Sequence, residues 1–513
     1  MTIHLDTVHT PALVPTERGP LEFPLGAPTA AAADRAYDLL DRENAYHAFV
    51  NGYAAVSEWM LRKGLVDAGV HDGDVLITRR LLDSRSLFLT ANADTVYFMT
   101  YLDLSDGPIL MRAPENVLTV VDDMWWRWVT DVGIPGPDRG QGGLYLFVGP
   151  GYDGPLPEGG CFVRHSRTNR ISVLGRAFLE GDDPAPAVER ITSTLAFARW
   201  QPGGYGFSIG AFLEGEGPLG GLQQLASPRF VEGSGLVVDT IPPSDVSYFA
   251  LLNDAVQAEP ASALDPEVAG PLAAIGIVHG QEFAPDGRMR ELLEEAVARA
   301  DAITRAVAFR PRESEEFAFY PGTGLHWSNP LFAGGYSFQV PPPLIGPGGL
   351  QPFPDRGAKL TTARSSFLYL ATGITPAMCM NLPNVGSQYI LATLDAAGDT
   401  LDGGEHYTLT LPPGIPAATF WSITLYDTHT RSMLVTDQLY PRAGSQSYPT
   451  PAAVPGPDGT TVLHLSPERP EGVGAGDWVQ TVPGAGFFAI LRFYSPTAAF
   501  FDRSWRPSDI TRA

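Results

Sequence analysis

The spacing of apolar residues along this chain changes period several times, and each change predicts an element. From about Thr29 to Val66 the run AAAADRAYDLLDRENAYHAFVNGYAAVSEWMLRKG is Ala-rich and largely free of helix breakers, with Gly52 interrupting its middle, which predicts one long helix. After Gly73 the period becomes two, predicting strands separated by Gly/Pro turns up to about Leu179. GDDPAPAVERITSTLAFAR, from Gly181, predicts a helix with Pro near its start. Residues 201–224 read as a Gly-rich loop, followed by helices at roughly 244–257, 264–275 and 287–308. Residues 311–356 are aromatic, Gly- and Pro-rich and read as irregular, and 358–373 predict a short helix. The two-residue period returns from about Tyr389, while residues 1–28 are Pro-rich and aperiodic.

The two β-rich stretches align with each other. LTVVDDMWWRW (118–128) matches SITLYDTHTRS (422–432), placing Asp123 opposite Asp427 and Arg127 opposite Arg431. DTVYFMTYLDL (94–104) is set against DTLDGGEHYTLTL (399–411), and GGLYLFVGP (142–150) against GTTVLHLSP (459–467). ISVLGRAF (171–178) matches FAILRFY (488–494), with Arg176 opposite Arg492. Matching blocks in one order are the mark of a repeat. The expected fold is therefore mainly β with α: two jelly-roll-like β-sandwich domains related by duplication, plus a helical insertion. The expected segments are an arm (1–28), a helical segment (29–72), an N-terminal β domain (73–200), a loop and helical connection (201–375) and a C-terminal β domain (376–513).

NADTVYFMTYLDLSDGP followed by VVDD and VLGRAF, then AATFWSITLYD, PDGTTVLHLSPERPEG, DWVQTVP, FFAILRFYSP and SWRPSDI, resembles the bacterial proteins that carry the domains of unknown function 1254 and 1214 in tandem. The resemblance covers about residues 75–190 and 380–512. It implies two jelly-roll-like domains flanking helices, and no settled activity. The aromatic run MWWRW (124–128) departs from the family pattern and suggests a specialised pocket; many members are exported, whereas this N-terminus shows no export signal.

Composition narrows the partners. Lys and Arg total 34 against 57 Asp and Glu, a formal charge of −23, so the basic footprint needed for nucleic acid or anionic membrane is missing. Two cysteines, Cys161 and Cys379, are too few for a disulfide framework. The first twenty residues lack a basic region followed by an apolar one, and no apolar run is long enough to span a membrane. The expectation is a cytoplasmic protein whose partner is a small molecule, with homodimerisation left open.

Asn92 and Asp94 open the strand TVYFMTYLDL, and two roles compete: an Asx-type turn or the mouth of a pocket shared with Tyr97. If the strand containing Asp123 continues, Asp123, Trp125 and Arg127 share a face with the charges about 13 Å apart, and Trp125 or Trp126 could serve as a platform for a sugar or aromatic ligand. Arg176 and Arg492 lie inside apolar runs and call for acidic partners. Asp123 and Asp427 are the natural ones. GFSIG (206–210) fits G-x-S-x-G around Ser208, without the strand–helix context of a nucleophile elbow. The ten histidines form no H-E-x-x-H, and a site gathered from His165, His326, His429 or His464 would need the fold to assemble it. Lys359 beside Arg356 and Arg364 is either an anion site or a helix face. His326 and Trp327 sit in a long loop, where sites concentrate. Two functions remain. One is an enzyme on a small polar or aromatic molecule, hydrolytic or lyase-type, with Asp94, Asp123 or His326 as acid/base and Asn92, Tyr97, Trp125, Trp126, Arg127, Arg176 and Trp327 binding. The other is a non-catalytic carbohydrate- or small-ligand-binding protein. No cofactor is called for, with a metal ion left open.

Overall fold

In the computed structural model the residues described are 10–202, 210, 213–214, 223–312, 318–329, 344–346, 349–351, 360–380 and 382–513. Ser208, Arg356 and Lys359 lie outside them. The longer helices are α1 (Ala30–Asp67), α2 (Ala185–Thr194), α3 (Ser247–Ala258), α4 (Pro266–Ala274), α5 (Gly287–Phe309) and α6 (Thr361–Leu370). The chain divides into two compact units, Met1–Tyr53 with Pro243–Ile303, and Ala54–Pro242 with Thr304–Ala513.

The first unit is helical. Phe49 of α1 stacks on Tyr248 of α3 at 4.3 Å between ring centroids, and the Tyr248 hydroxyl donates to the Phe49 carbonyl at 2.7 Å. Gly52, one of two glycines in α1, sits where a Cβ would come within 2.6 Å of the Leu252 side chain. It is there so the helices can approach. Arg288 of α5 bridges Asp38 and Asp41 of α1, each at 2.7 Å.

The second unit holds the sheets. Its strands are β1 (Val75–Ile77), β2 (Thr95–Asp103), β3 (Ile109–Ala113), β4 (Leu118–Asp123), β5 (Trp128–Gly133), β6 (Gly143–Val148), β7 (Phe162–His165), β8 (Arg170–Phe178), β9 (Ala196–Arg199), β10 (Phe230–Glu232), β11 (Trp327–Ser328), β12 (Ser387–Ala392), β13 (Tyr407–Leu411), β14 (Ala417–Asp427), β15 (Arg442–Gly444), β16 (Thr461–Ser466), β17 (Trp478–Gln480), β18 (Phe487–Pro496) and β19 (Thr511–Arg512). In the N-terminal half a sheet of order β10-β1-β2-β8-β4-β5 packs on one of order β9-β3-β6-β7. In the C-terminal half the orders are β11-β12-β18-β14-β15 and β17-β16-β13-β19. In each half the last short strand of the outer sheet runs parallel to its neighbour, β7 to β6 and β17 to β16. The fold is thus mixed α and β, with sandwich-like sheet pairs.

Strand alternation explains the layers. Ile171, Val173 and Ala177 of β8 point into the N-terminal core, and Phe487, Ala489, Leu491 and Phe493 of β18 into the C-terminal one. The alternate residues, 174 and 176 of β8 and 490 and 492 of β18, face the opposite way. Those second faces are covered too, so β18 is buried along almost its full length. That is why FFAILRFYSP reads as a nearly continuous apolar run. Gly175 sits on the core face of β8, where a Cβ would lie 2.0 Å from the Phe98 ring.

Two expectations about register are corrected. The strand does not continue past Asp123: residues 124–127 form a tight turn with Trp126 at φ +51°, so Asp123 and Arg127 meet at 2.7 Å instead of standing two pleats apart. The β2 segment is not the positional equivalent of 399–411 either. Its place at the side of the central strand is taken by β12, because β8 pairs Arg176 with Tyr97 and β18 pairs Arg492 with Tyr389. Asp399 lies in the turn after β12, where its amide donates to Asp395 Oδ1.

Candidate functional site

The second faces of β8 and β18 close over a cavity of about 210 Å³. Its N-terminal wall comes from one face of one sheet. The pairings Arg176–Tyr97, Leu174–Met99, Arg176–Leu118, Leu174–Val120 and Val120–Asp131 put these side chains on one face. The C-terminal wall carries Ser387, Tyr389 and Leu391 of β12 with Ile490 and Arg492 of β18. The rim and floor come from Phe88–Asn92, Asn329, the end of α6 and the segment Ala371–Gly386. Most of this lining is apolar: Phe88, Leu89, Phe367, Leu370, Met378, Met380, Leu382 and Val385 join the strand residues.

One end is different. Arg176 donates from Nη1 to the Tyr389 hydroxyl at 3.1 Å. Arg492 donates from Nη2 to the Thr90 carbonyl at 2.8 Å, lies over Tyr389 and Tyr426 at 5.5 Å from each ring, and leaves Nη1 buried without a hydrogen-bond partner. Among the described residues neither arginine forms an ion pair with a carboxylate. Burial works against both charges; Tyr389 is the leading favourable neighbour of Arg176, and Tyr426, Tyr494 and the Asp94 carboxylate are those of Arg492. The reciprocal effect appears at Tyr389: burial raises its hydroxyl, but Arg176, Ser387 and Arg492 together hold it below the usual range. Tyr97, for which burial dominates, is raised. Two cations and several tyrosine and serine hydroxyls thus meet at this end of the cavity.

The opposite end holds Asp131. Its Oδ2 accepts from Thr375 Oγ1 at 2.9 Å, and the Trp128 indole N–H is its other neighbouring donor. Burial pushes its pKa up to about 7. Next to it Asp122 accepts from the Ile374 amide at 3.0 Å and is also raised, by burial first and then by the charges of Asp123 and Asp131. Glu58 of α1 is raised for the same first reason.

The residues singled out in the sequence divide around this cavity. Asn92, Tyr97 and Arg176 line it. Asn92 does two things: Oδ1 accepts from the Asp94 amide at 3.0 Å, an Asx turn, and Nδ2 donates to the Tyr97 hydroxyl at 2.8 Å. Asp94 is fully buried away from the cavity, with Arg442 at 2.8 Å, the Ser422 hydroxyl at 2.6 Å and the Tyr494 hydroxyl at 2.9 Å. Asp123 closes its own turn, accepting from the amides of Trp125 and Arg127 and from Arg127 Nε. The acidic partner expected for Arg176 is therefore corrected: Asp123 is engaged by Arg127, and Arg176 turns to Tyr389. Asp427 likewise accepts from the amides of His429 and Thr430, and Arg492 turns to Thr90. Trp125 and Trp126 are buried, Trp126 donating to Ser57 Oγ at 3.1 Å, and Arg127 lies over Trp125 at 5.8 Å. His326 pairs with Asp509 at 3.2 Å, and Trp327 donates to the Ser508 carbonyl from the C-terminal core. None of these last five lines the cavity. Among the described residues no group of three or more His, Cys, Asp or Glu could hold a metal ion, and no helix is long and apolar enough to cross a membrane.

Sequence reasoning did not single out Tyr389, Asp131 or the Arg492 role. Arg492 was legible through its repeat partner Arg176. Asp131 had a fainter signal, a carboxylate inside the apolar strand WVTDVG. Tyr389 was hidden by aligning β2 with the wrong C-terminal segment.

Comparison with family profiles finds matches in the same two β-rich halves. The profile "Protein of unknown function (DUF1254)" matches residues 73–199, and "Protein of unknown function (DUF1214)" matches residues 386–498. The chain belongs to the proteins that carry these two domains in tandem. No curated protein matches the sequence. Among solved structures, the VPA0106 protein from Vibrio parahaemolyticus is similar at 15% identity with a TM-score of 0.51, over 92% of this chain and 99% of that one. An uncharacterised protein from Burkholderia cenocepacia is similar at 12% identity with a TM-score of 0.35, over 93% and 96%. The first likeness concerns fold alone.

Proposed function

We propose that the second unit binds a small apolar organic acid as its anion, with the acid group between Arg176 and Arg492 and the hydrocarbon body along the cavity. The observation that carries this is a pair of guanidiniums, one from each half, that line one cavity and, among the described residues, form no ion pair with a carboxylate, the nearest acidic charge, Asp94, being engaged by Arg442. Buried unpaired charge is costly, so an anionic ligand is the group that completes the arrangement. The size fits. An apolar cavity of about 150 Å³ takes benzene, so one of about 210 Å³ suits a single ring or a short chain bearing one acid group. Apolar walls without a lining tryptophan suit hydrocarbon better than sugar.

Both arginines hold equivalent places, each opposite a tyrosine on the neighbouring strand. This supports reading the two halves as copies of one jelly-roll-like unit whose repeated Arg–Tyr pair now faces itself across a single site. An enzymatic role, acid/base chemistry on the bound acid, is the second reading, favoured by a carboxyl with a pKa near neutrality in the same cavity.

The test is calorimetric titration with benzoate, 3-phenylpropanoate and octanoate against the matching amides. The acids should bind and the amides should not. Arg176→Met or Arg492→Met should weaken acid binding roughly 30-fold or more, the scale for losing one partner of a buried charge pair. Equal binding of acids and amides refutes the assignment.

A further inference from the structure

We propose that Tyr97 is a specificity-determining residue of the acid site: its hydroxyl donates a hydrogen bond to an oxygen of the bound acid group, with Asn92 as the positioning residue that fixes the phenol as a donor. This rests on the anion-binding reading above and deepens it by naming what the ligand must present, a carboxylate with one oxygen accepting from a neutral phenol beside the two guanidiniums.

Donor and acceptor roles at this end are fixed by chemistry. Asn92 Oδ1 accepts from the Asp94 amide at 3.0 Å and from Thr95 Oγ1 at 2.9 Å, so the carboxamide presents Nδ2 to the Tyr97 hydroxyl, at 2.8 Å. The Asn92 backbone N–H points at the same oxygen from 3.4 Å. Both nitrogens can only donate, which makes Tyr97 Oη the acceptor in both contacts. A phenol has one proton of its own to give, and among the described residues no acceptor takes it. The cations nearest this hydroxyl, Arg176 and Arg492, are donors as well. A hydroxyl ringed by donors turns its proton away from them, and an anion's oxygen is the group that receives it.

The side chain is also reachable. Along Thr95–Leu102, Tyr97 is the one residue that is not buried, and it lines the cavity. Arg176 stands directly opposite on the neighbouring strand, partly buried on the same face. Cβ atoms in such a pair are about 5 Å apart, so one acid group can meet both side chains. Burial raises the Tyr97 pKa, which keeps the phenol neutral and adds no negative charge to compete with the ligand's.

The test uses the full chain at about pH 6, where carboxylic acids are ionised and phenols hold their protons. Titrations with benzoate, 3-phenylpropanoate and octanoate compare wild type, Tyr97→Phe and protein carrying 3-fluorotyrosine in place of Tyr97. Tyr97→Phe should weaken the acids about tenfold, and by no less than about fivefold, the scale of one hydrogen bond to a charged group. The fluorinated phenol keeps the shape of tyrosine but is more acidic and so the stronger donor; it should tighten the acids about twofold. A role in packing alone does not produce that second sign. Acids that bind wild type but lose less than about fivefold in Tyr97→Phe overturn this inference and leave the anion site standing. Fluorinated protein that binds the acids no tighter than wild type overturns it too, and this comparison decides alone if Tyr97→Phe does not fold. If no acid binds wild type, the anion-binding reading fails and takes this inference with it.

Discussion

Replacing Arg442 by Met tests whether Asp94 is a tie between the two β halves or a working group. Asp94 and Arg442 are both fully buried, at 2.8 Å. The Arg442 Nε–H is poorly aligned with the carboxylate, so the contact is chiefly Coulombic, while Ser422 and Tyr494 hydroxyls supply the directed hydrogen bonds. Removing one member of such a pair strands the other in low dielectric, at about 3–5 kcal/mol. Arg442→Met and Asp94→Asn should each destabilise by that amount. The double variant holds no stranded charge, so it should cost less than the two singles together by about 2 kcal/mol or more, within the range of couplings between contacting residues. Urea unfolding followed by tryptophan fluorescence on the four proteins gives this coupling directly, provided the urea dependence of the transition is unchanged. One result sinks the argument: Asp94→Asn within about 0.5 kcal/mol of wild type, with acid binding abolished. Asp94 would then be a ligand group, and the tie would be unimportant.

Further outcomes follow from the same geometry. Arg176→Met should remove acid binding and cost about 1 kcal/mol through loss of the hydrogen bond to the Tyr389 hydroxyl; acid binding unchanged from wild type in titration contradicts this. Asp131 has a folded pKa of about 7 against about 3.8 unfolded, so its neutral form is favoured by folding. Stability should therefore be highest below about pH 4 for this group and fall as pH rises to about 7, by roughly 4 kcal/mol at most. Asp131→Asn should gain on wild type by that amount between pH 4 and pH 8, measured as the difference of their unfolding free energies. Asn92→Ala should cost about 1–2 kcal/mol through loss of the Asx turn and also weaken acid binding by freeing Tyr97, read by urea unfolding and titration. Trp126→Phe loses the Ser57 hydrogen bond, about 1 kcal/mol, and titration should find acid binding within twofold of wild type.

What the chain's own pattern determined was everything set by neighbours in sequence. The Ala-rich run gives α1, the two-residue period gives the strands, and the apolar runs of β8 and β18 announce sheets buried on both faces. An Arg inside the apolar runs VLGRAF and AILRFY was visible for the same reason, since strand alternation is written in the sequence. The Asx turn at Asn92 is local and was legible as one of two readings. Tertiary structure alone decided the rest. Asp94 finds Arg442, and Arg176 finds Tyr389, across hundreds of residues, and no spacing rule connects such partners. Trp125 and Trp126 looked like a binding platform because exposure is not written in residue type, and a tight turn at Asp123 carried them into the core. The cavity exists only where the second faces of two sheets meet, so its two arginines and its lone aspartate become a site through register and packing.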